Sequence, residues 1–518
     1  MADYIVVGGG LTGCAIASLL SRSVKKPSVV LIEAGPDPTG KANTDTFLNG
    51  LSLLGGELDY AYQSVPVKAT FDRIHTLNAG KVLGGGSVLN FGGWLRADSS
   101  DYDQWGRLVN DKRWSYEGLK PYLEKTEAKF EVAKISDNIE RQYPLREPVR
   151  AAWKELGVQD GDSTNGRITG LLEISENATK GGIRQPSQLV YSLEDVDVLT
   201  DTLVQCVTFD KKRATGVLLA DGRKISAKKE VILCAGAYRT PQLLMLSGIG
   251  NPSTLEKFNI PVVHHSTHVG ENLFDHFAIY MAFKLQKTAQ AHALGSAAWT
   301  TPSLFKGLPY DWVVSETVPR ELLEKHASDS ANLQDRNLYE VLTVYVPPGI
   351  PGIPVDGSHI ATSTMLLLPQ SRGSVSLRSA SPTEPPLIQP NYLSSDLDRE
   401  TLKYAARRTL SALLGTEAMK KFVQEETPPS APGLEGLQPL ATDVSDDVLQ
   451  DRIERTGAQH RHSGGTVAMG TVIDTDGRVL GTEGLRVADA SIIPTPLGGH
   501  PQATLYAMVE QLASIILE

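Results

Sequence analysis

The chain is 518 residues long, beyond one ordinary domain at about 100–200 residues each and enough for two or three. Its 41% hydrophobic and 21% charged residues describe a globular chain with a large core, not a disordered or fibrous one. With 50 Lys plus Arg against 60 Asp plus Glu, the formal charge of −10 excludes nucleic acid as a general partner, because phosphate neutralisation needs a basic surface.

In chain order, residues 4–7 form a short β-branched run, as a buried parallel strand should. Gly8, Gly10 and Gly13 follow as G-x-G-x-x-G, and Ile16, Leu19 and Leu20 continue at helical spacing. A second apolar run, 29–32, ends at Glu33 and Ala34. This is the start of a βαβ unit. The first glycine permits the turn, the second lets a pyrophosphate approach the backbone, and the third lets the helix pack on the strand. The helix opening at Leu11 and Thr12 offers free N–H groups to phosphates. Glu33, twenty residues after Gly13, suits ribose hydroxyls. FAD and NAD both fit the unit.

Residues 4–20 are mostly apolar, but Asp3, the missing basic leader and Gly8-Gly9-Gly10 do not make a signal peptide. No run of 18 apolar residues occurs, so no membrane span is expected. The three cysteines, Cys14, Cys206 and Cys234, form no C-x-x-C pair, which argues against a disulfide scaffold or zinc knuckle and suits a reducing compartment. A cytoplasmic enzyme is the expectation.

Further along, 202–219 carries strand-like apolar pairs around a turn at Asp210-Lys211-Lys212, and 230–234 reads as another buried strand before Gly236. Residues 260–450 lack the glycine-rich strand–helix alternation, and three proline-rich stretches, 346–354, 381–392 and 428–439, read as ordered loops. At the end, 485–489 resembles a strand. Leu505, Met508, Val509, Leu512 and Ile515 then form one face of a last helix. His264, His265 and His268 cluster, but their spacing matches no usual zinc pattern and no acid accompanies them, so no metal is expected.

Residues 80–97 hold three consecutive glycines, Gly84-Gly85-Gly86, before Ser87-Val88-Leu89-Asn90. Three glycines allow main chain to lie flat against a planar or phosphorylated ligand, and Asn90 offers both a donor and an acceptor. This stretch resembles the first signature of the glucose–methanol–choline (GMC) flavoprotein oxidoreductases, and Gly236-Ala237-Tyr238-Arg239-Thr240-Pro241-Gln242-Leu243-Leu244-Met245-Leu246-Ser247-Gly248-Ile249-Gly250 is similar to their second. Smaller echoes are Val269-Gly270-Glu271-Asn272-Leu273-Phe274-Asp275-His276, Ser371-Arg372-Gly373-Ser374 and Asn391-Tyr392.

The resemblance runs from residue 4 to the last helix. It implies an α/β fold with a Rossmann-like FAD-binding domain and a second α+β domain on an antiparallel sheet. The FAD domain would take residues 1–160, 200–260 and 460–518, and the substrate domain mainly 161–199 and 261–459. It implies that Val82, Gly84, Gly85, Ser87, Asn90 and Gly92 line the flavin and its diphosphate, that Val204 meets the adenine, and that Asp489 and Ala490 touch the ribityl-phosphate region. Some relatives bond the flavin through a histidine just before that asparagine. Here the position is Leu89, so non-covalent FAD is expected.

His462-Ser463-Gly464-Gly465-Thr466 resembles the family's H-x-x-G-T element, whose histidine faces the flavin. Ser463 stands where relatives usually have Pro or Gly. His500-Pro501-Gln502 sits where the family places its second catalytic residue, His or Asn. An alcohol gives up hydride once its hydroxyl proton is removed, and a neutral imidazole suits that task. His462 is the expected base and His500 its partner on the alcohol oxygen. His460, two residues earlier and on the same face if the segment is a strand, is the rival.

The expected reaction is oxidation of an alcohol to an aldehyde or ketone, with electrons passing to oxygen or another acceptor. A hydroxynitrile-lyase-like activity is the alternative, followed by a photo-driven decarboxylase and a catalytically silent flavin scaffold. Both histidines count against the silent scaffold. The particular alcohol and the oligomeric state stay open, with a lean toward an intracellular biosynthetic step.

Overall fold

A computed structural model describes residues 1–138, 140–179 and 181–518. Strand β1 (Ala2–Val7), helix α1 (Leu11–Ser21) and strand β2 (Val29–Ile32) form the expected βαβ start. β1 pairs in parallel with β2 on one side and with Lys224–Leu233 on the other. The parallel array continues outward through Asp197–Leu199 beside β2 and Leu485–Val487 beside 231–233. The first half of Lys224–Leu233 pairs instead antiparallel with Arg213–Leu219, which pairs in turn with Val204–Asp210 in the hairpin expected around residues 210–212. Helices cover the parallel strands, which explains their uninterrupted apolar runs: Ile5, Val6, Leu31, Val231, Ile232 and Leu233 are fully buried.

A second seven-stranded sheet runs in the order Val423–Thr427, Phe277–Leu285, His359–Leu366, Tyr339–Val344, Tyr310–Glu316, Gly170–Glu173, with Ala458–Gln459 added beside Phe277. Every pairing in it is antiparallel. The helix Asp396–Leu410 lies on its strand His359–Leu366, where the Thr364 and Thr409 hydroxyls meet at 2.9 Å. The two sheets organise two separate apolar cores.

The cores do not follow the expected division at residues 160 and 199. The helix Arg146–Glu155 buries Val149, Ala152 and Trp153 in the second core, and Asp197–Leu199 is an edge strand of the first sheet. Apolar faces, not chain position, decide membership. The loop expected over 381–392 contains a short strand, Leu387–Gln389, paired with Ser374–Ser376.

The last helix, Pro501–Leu517, starts with proline at its first position, where the missing N–H costs nothing. It is buried along most of its length and packs against α1 and the helix Tyr116–Lys129. Its N-cap is His500. After Ala458–Gln459 the chain leaves the sheet: Arg461 takes φ +68°, so residues 460–462 are a turn and not a strand. His460 and His462 come together through that turn, with ring centroids 4.9 Å apart.

Candidate functional site

A cavity of about 310 Å³ opens beyond the carboxyl ends of β1, β2 and Lys224–Leu233, where parallel sheets generally bind ligands. Gly8, Gly10, Leu11 and Thr12 line it, with Glu33 and Ala34 after β2 and Val204 beyond them. Gly85, Asn90, Asp489, Ala490, Pro501 and His462 border the rest. Thirteen of the residues singled out from the sequence therefore meet around one space.

The cavity's backbone is bare at chosen points. A Cβ added at Gly86 or Gly236 would meet nothing within 4 Å, and one at Gly10 would meet only the Cys234 carbonyl oxygen at 4.0 Å. α1 has Gly10 as its N-cap and no side-chain cap among the described residues, so its first N–H groups are open to an anion. Glu33 Oε2 accepts from the Gly9 N–H at 2.7 Å and Oε1 from the Gly35 N–H at 2.8 Å. Burial pushes this carboxyl up to about 7, and those N–H groups work against the rise. Asp489 accepts from the Gly236 N–H at 2.9 Å, the Thr240 hydroxyl at 2.6 Å and the Ser491 N–H at 2.8 Å. Burial raises its carboxyl as well.

Other expected residues stand behind the wall. A Cβ at Gly13 would lie 1.8 Å from the Gly8 carbonyl oxygen, so this glycine serves the packing of α1 on β1. Gly84 donates its N–H to the Gly9 carbonyl at 2.7 Å and faces Gln188, not the cavity. The Ser87 hydroxyl donates to the Gly84 carbonyl at 2.6 Å and accepts from the Ser187 N–H at 2.9 Å. Gly92 packs under Phe47, and Val82 lies in a small apolar cluster with Leu53, Leu58, Val88 and Leu89.

Asn90 differs from the expectation of a free donor and acceptor. Its Oδ1 accepts from Arg184 Nη1 at 2.8 Å and from the Gly92 N–H at 3.1 Å, and its Nδ2 donates to Gln502 Oε1 at 3.2 Å. One N–H of Asn90 is left for a ligand. Gln502 in turn donates to the Gly93 carbonyl at 2.6 Å.

At the end of the cavity four histidines crowd together. The His462 and His500 rings are 5.3 Å apart, His462 and His276 are 5.0 Å apart, and His460 lies 6.1 Å from His500. His462 Nδ1 is 2.9 Å from His276 Nδ1, and the His462 backbone N–H donates to Asp275 Oδ1 at 2.7 Å. Tyr392 donates its hydroxyl to the other oxygen of Asp275 at 3.0 Å. Burial holds the His462 and His460 imidazoles well below their ordinary range, helped by the neighbouring histidines and Arg461. Burial also raises Asp275 to about 7.

His500 stands beside His462 and is tethered from behind: its Nε2 donates to Glu340 Oε1 at 2.9 Å. Glu340 comes from the second sheet, is fully buried, and leaves Oε2 without a partner among the described residues. The sequence reading missed Glu340 and gave His276 no role. The signal for Glu340 was a lone acid inside the apolar run of strand Tyr339–Val344, since a buried charge needs a partner. His264 and His265 lie far away in sequence and pairing, on a two-residue strand beside Ile249–Gly250.

The N-terminal model of the GMC oxidoreductases matches residues 2–278, and their C-terminal model matches residues 369–508. The chain belongs to the GMC oxidoreductase family. It is 38% identical to the GMC-type oxidoreductase acuG of Aspergillus aculeatus, over 99% of both chains. It is 31% identical to the glucose dehydrogenase (FAD, quinone) of Drosophila pseudoobscura, over 99% of this chain and 86% of that one. Among solved structures, the Aspergillus oryzae formate oxidase superposes with a TM-score of 0.87 at 25% identity, covering 99% of this chain and 98% of that one. As a GMC protein it is an FAD-type oxidoreductase acting on CH–OH donors.

Proposed function

We propose that this GMC protein oxidises an alcohol to an aldehyde or ketone, with His462 as the base and with non-covalent FAD in the cavity. The observation that carries the reading is the His462–His500 pair, 5.3 Å apart, at the end of a cavity that begins at an uncapped glycine-turn helix. The open faces of Gly10, Gly86 and Gly236 and the bare start of α1 fit a dinucleotide whose diphosphate meets backbone N–H groups. Glu33 would hold the adenosine ribose, Val204 would border the adenine, and Asn90, Asp489 and Pro501 would surround the flavin end. Bound there, FAD supplies the hydride acceptor and passes its electrons to oxygen or another acceptor.

Burial keeps the His462 imidazole neutral, so it can take the proton of a substrate hydroxyl. Losing that proton makes the C–H a hydride donor. Asp275, gripping the His462 backbone N–H, fixes where the ring stands. His500, tethered to Glu340, closes the other side of the substrate oxygen.

The test is anaerobic. Mixing the yellow protein with a panel of alcohols should bleach the visible flavin band for at least one of them. Cyanohydrin turnover with no bleaching by any alcohol would replace this reading with the lyase one.

A further inference from the structure

We infer that His276 is a positioning residue that fixes the tautomer of His462, leaving Nε2 of His462 as the bare, proton-accepting nitrogen. The inference rests on the proposed role of His462 as base and adds what makes one of its two nitrogens the base.

The argument starts from the contact itself. His462 Nδ1 and His276 Nδ1 lie 2.9 Å apart, so one must carry the proton and the other the lone pair. The open side of His462 decides which. The His462 side chain borders the cavity, and a base working there needs Nε2 bare, with its proton on Nδ1. The contact then runs from His462 Nδ1–H to His276 Nδ1 as acceptor, which leaves the His276 proton on Nε2. His276 is 2% exposed, and burial with the nearby His500 pushes it down to about 3, so it stays neutral at working pH. His462 must then be the donor, through Nδ1–H. Its Nε2 has no hydrogen bond to any described residue, and the His462 side chain borders the cavity.

The same bond helps once the proton has moved. When His462 Nε2 takes the hydroxyl proton, the ring becomes an imidazolium with both nitrogens protonated. Its Nδ1–H still has the neutral His276 acceptor, and a charge-assisted hydrogen bond is stronger than a neutral one. The alcohol O–H bond breaks, the new N–H bond forms on Nε2, and no proton leaves through His276. The charged and titratable groups facing the pair are Asp275 on the His462 backbone, His460 and Arg461 from the same turn, and His500 with its partner Glu340 from the opposite side. Among the described residues only His276 hydrogen-bonds Nδ1.

The experiment uses ¹⁵N-histidine-labelled holoenzyme, with the His462→Asn spectrum assigning the His462 signals. At pH 8 the wild type should show His462 protonated on Nδ1 and bare on Nε2. In His276→Leu that preference should disappear. Flavin reduction by alcohol should fall between 10²- and 10⁴-fold, the range expected when a catalytic imidazole loses its tautomer or base function. Its acidic limb should move to lower pH as the imidazolium loses its acceptor. His276→Asn places an amide oxygen near the Nδ1 position, so it should restore the Nδ1–H signal and bring the rate within about tenfold of wild type. A His462 proton found on Nε2 in the wild-type holoenzyme overturns the inference. So does an unchanged Nδ1–H signal in His276→Leu, or in His276→Asn a loss as large as in His276→Leu. Because the spectrum is read without substrate, it decides the tautomer even if no alcohol reduces the flavin, which would instead remove the proposed oxidation.

Discussion

At the residue scale, the histidine cluster raises the question of which ring does chemistry and which only packs. His462 borders the cavity, whereas the His460 ring is stacked 6.3 Å from Tyr280 at an interplanar angle of 6° and its backbone N–H is spent on the His276 carbonyl. His462→Ala should slow anaerobic flavin reduction by on the order of 10²–10⁴-fold, the usual loss for a general base, and His460→Ala far less. His500→Ala should also be slow, and the His462→Ala, His500→Ala double variant should lose much less than the product of the two, because groups serving one transition state are not additive. Independent, modest losses measured by stopped flow would reduce both rings to packing. Leu89 makes a different prediction at this scale. It borders the cavity and packs on Val82 and Val88, and a leucine side chain has no nucleophile to form a flavin bond. Acid precipitation should leave the yellow colour in the supernatant, and colour in the pellet would show a covalent link made elsewhere.

At the scale of single elements, buried titratable groups tie local structure to pH. His75, on the strand Thr76–Leu77 edge, is 4% exposed and its Nε2 meets the Thr70 hydroxyl at 2.8 Å. Burial, with Arg73 beside it, pushes the imidazole down to about 4. Its folded value lies below its unfolded value, so the unfolded chain binds the proton first as pH falls. Stability is therefore lost between about pH 6.5 and pH 4, by about 3 kcal/mol in all for this one group. His75→Gln cannot titrate, so its unfolding midpoint in urea should fall less steeply across that window than the wild type's; parallel curves would show that His75 is not buried neutral. The elements themselves were legible to very different degrees. The βαβ start was readable because continuous β-branched runs, a glycine turn and a terminal acid coincide within 33 residues, and all of that is local. The turn at 460–462 was not, because a left-handed Arg461 leaves no mark in the sequence pattern. Glu340 lies on a strand buried along its whole length and His276 just before the strand Phe277–Leu285, so neither stands out in the sequence pattern, and only side-chain contacts between distant parts of the chain bring them to His500 and His462. For the same reason the sequence pattern did not show that Arg146–Glu155 packs in the second core and that Asp197–Leu199 edges the first sheet.

At the scale of the whole molecule, the cavity is where distant parts of the chain converge. Its wall takes residues from the first glycine turn, from 33–34, 85–90, 202–204 and 234–246, and from 461–463, 489–490 and 501. Glu340 and His276 reach the same end from the second sheet through their histidine partners. The uncapped start of α1 suits an anion, and a dinucleotide that bridged all of these segments, as proposed, would bind only the folded chain. Binding to the native state alone stabilises by RT ln(1 + [L]/Kd), about 4 kcal/mol at a thousandfold excess over Kd. Spread over a chain of this size, that corresponds to a rise of roughly 4 °C in Tm. FAD stripped by chaotropic salt should therefore leave a protein whose first thermal transition lies lower by that order. Adding FAD back should raise the transition progressively with concentration, and NADP should not. A transition that ignores FAD would place the dinucleotide outside this cavity, since a ligand joining so many segments cannot leave their unfolding unchanged.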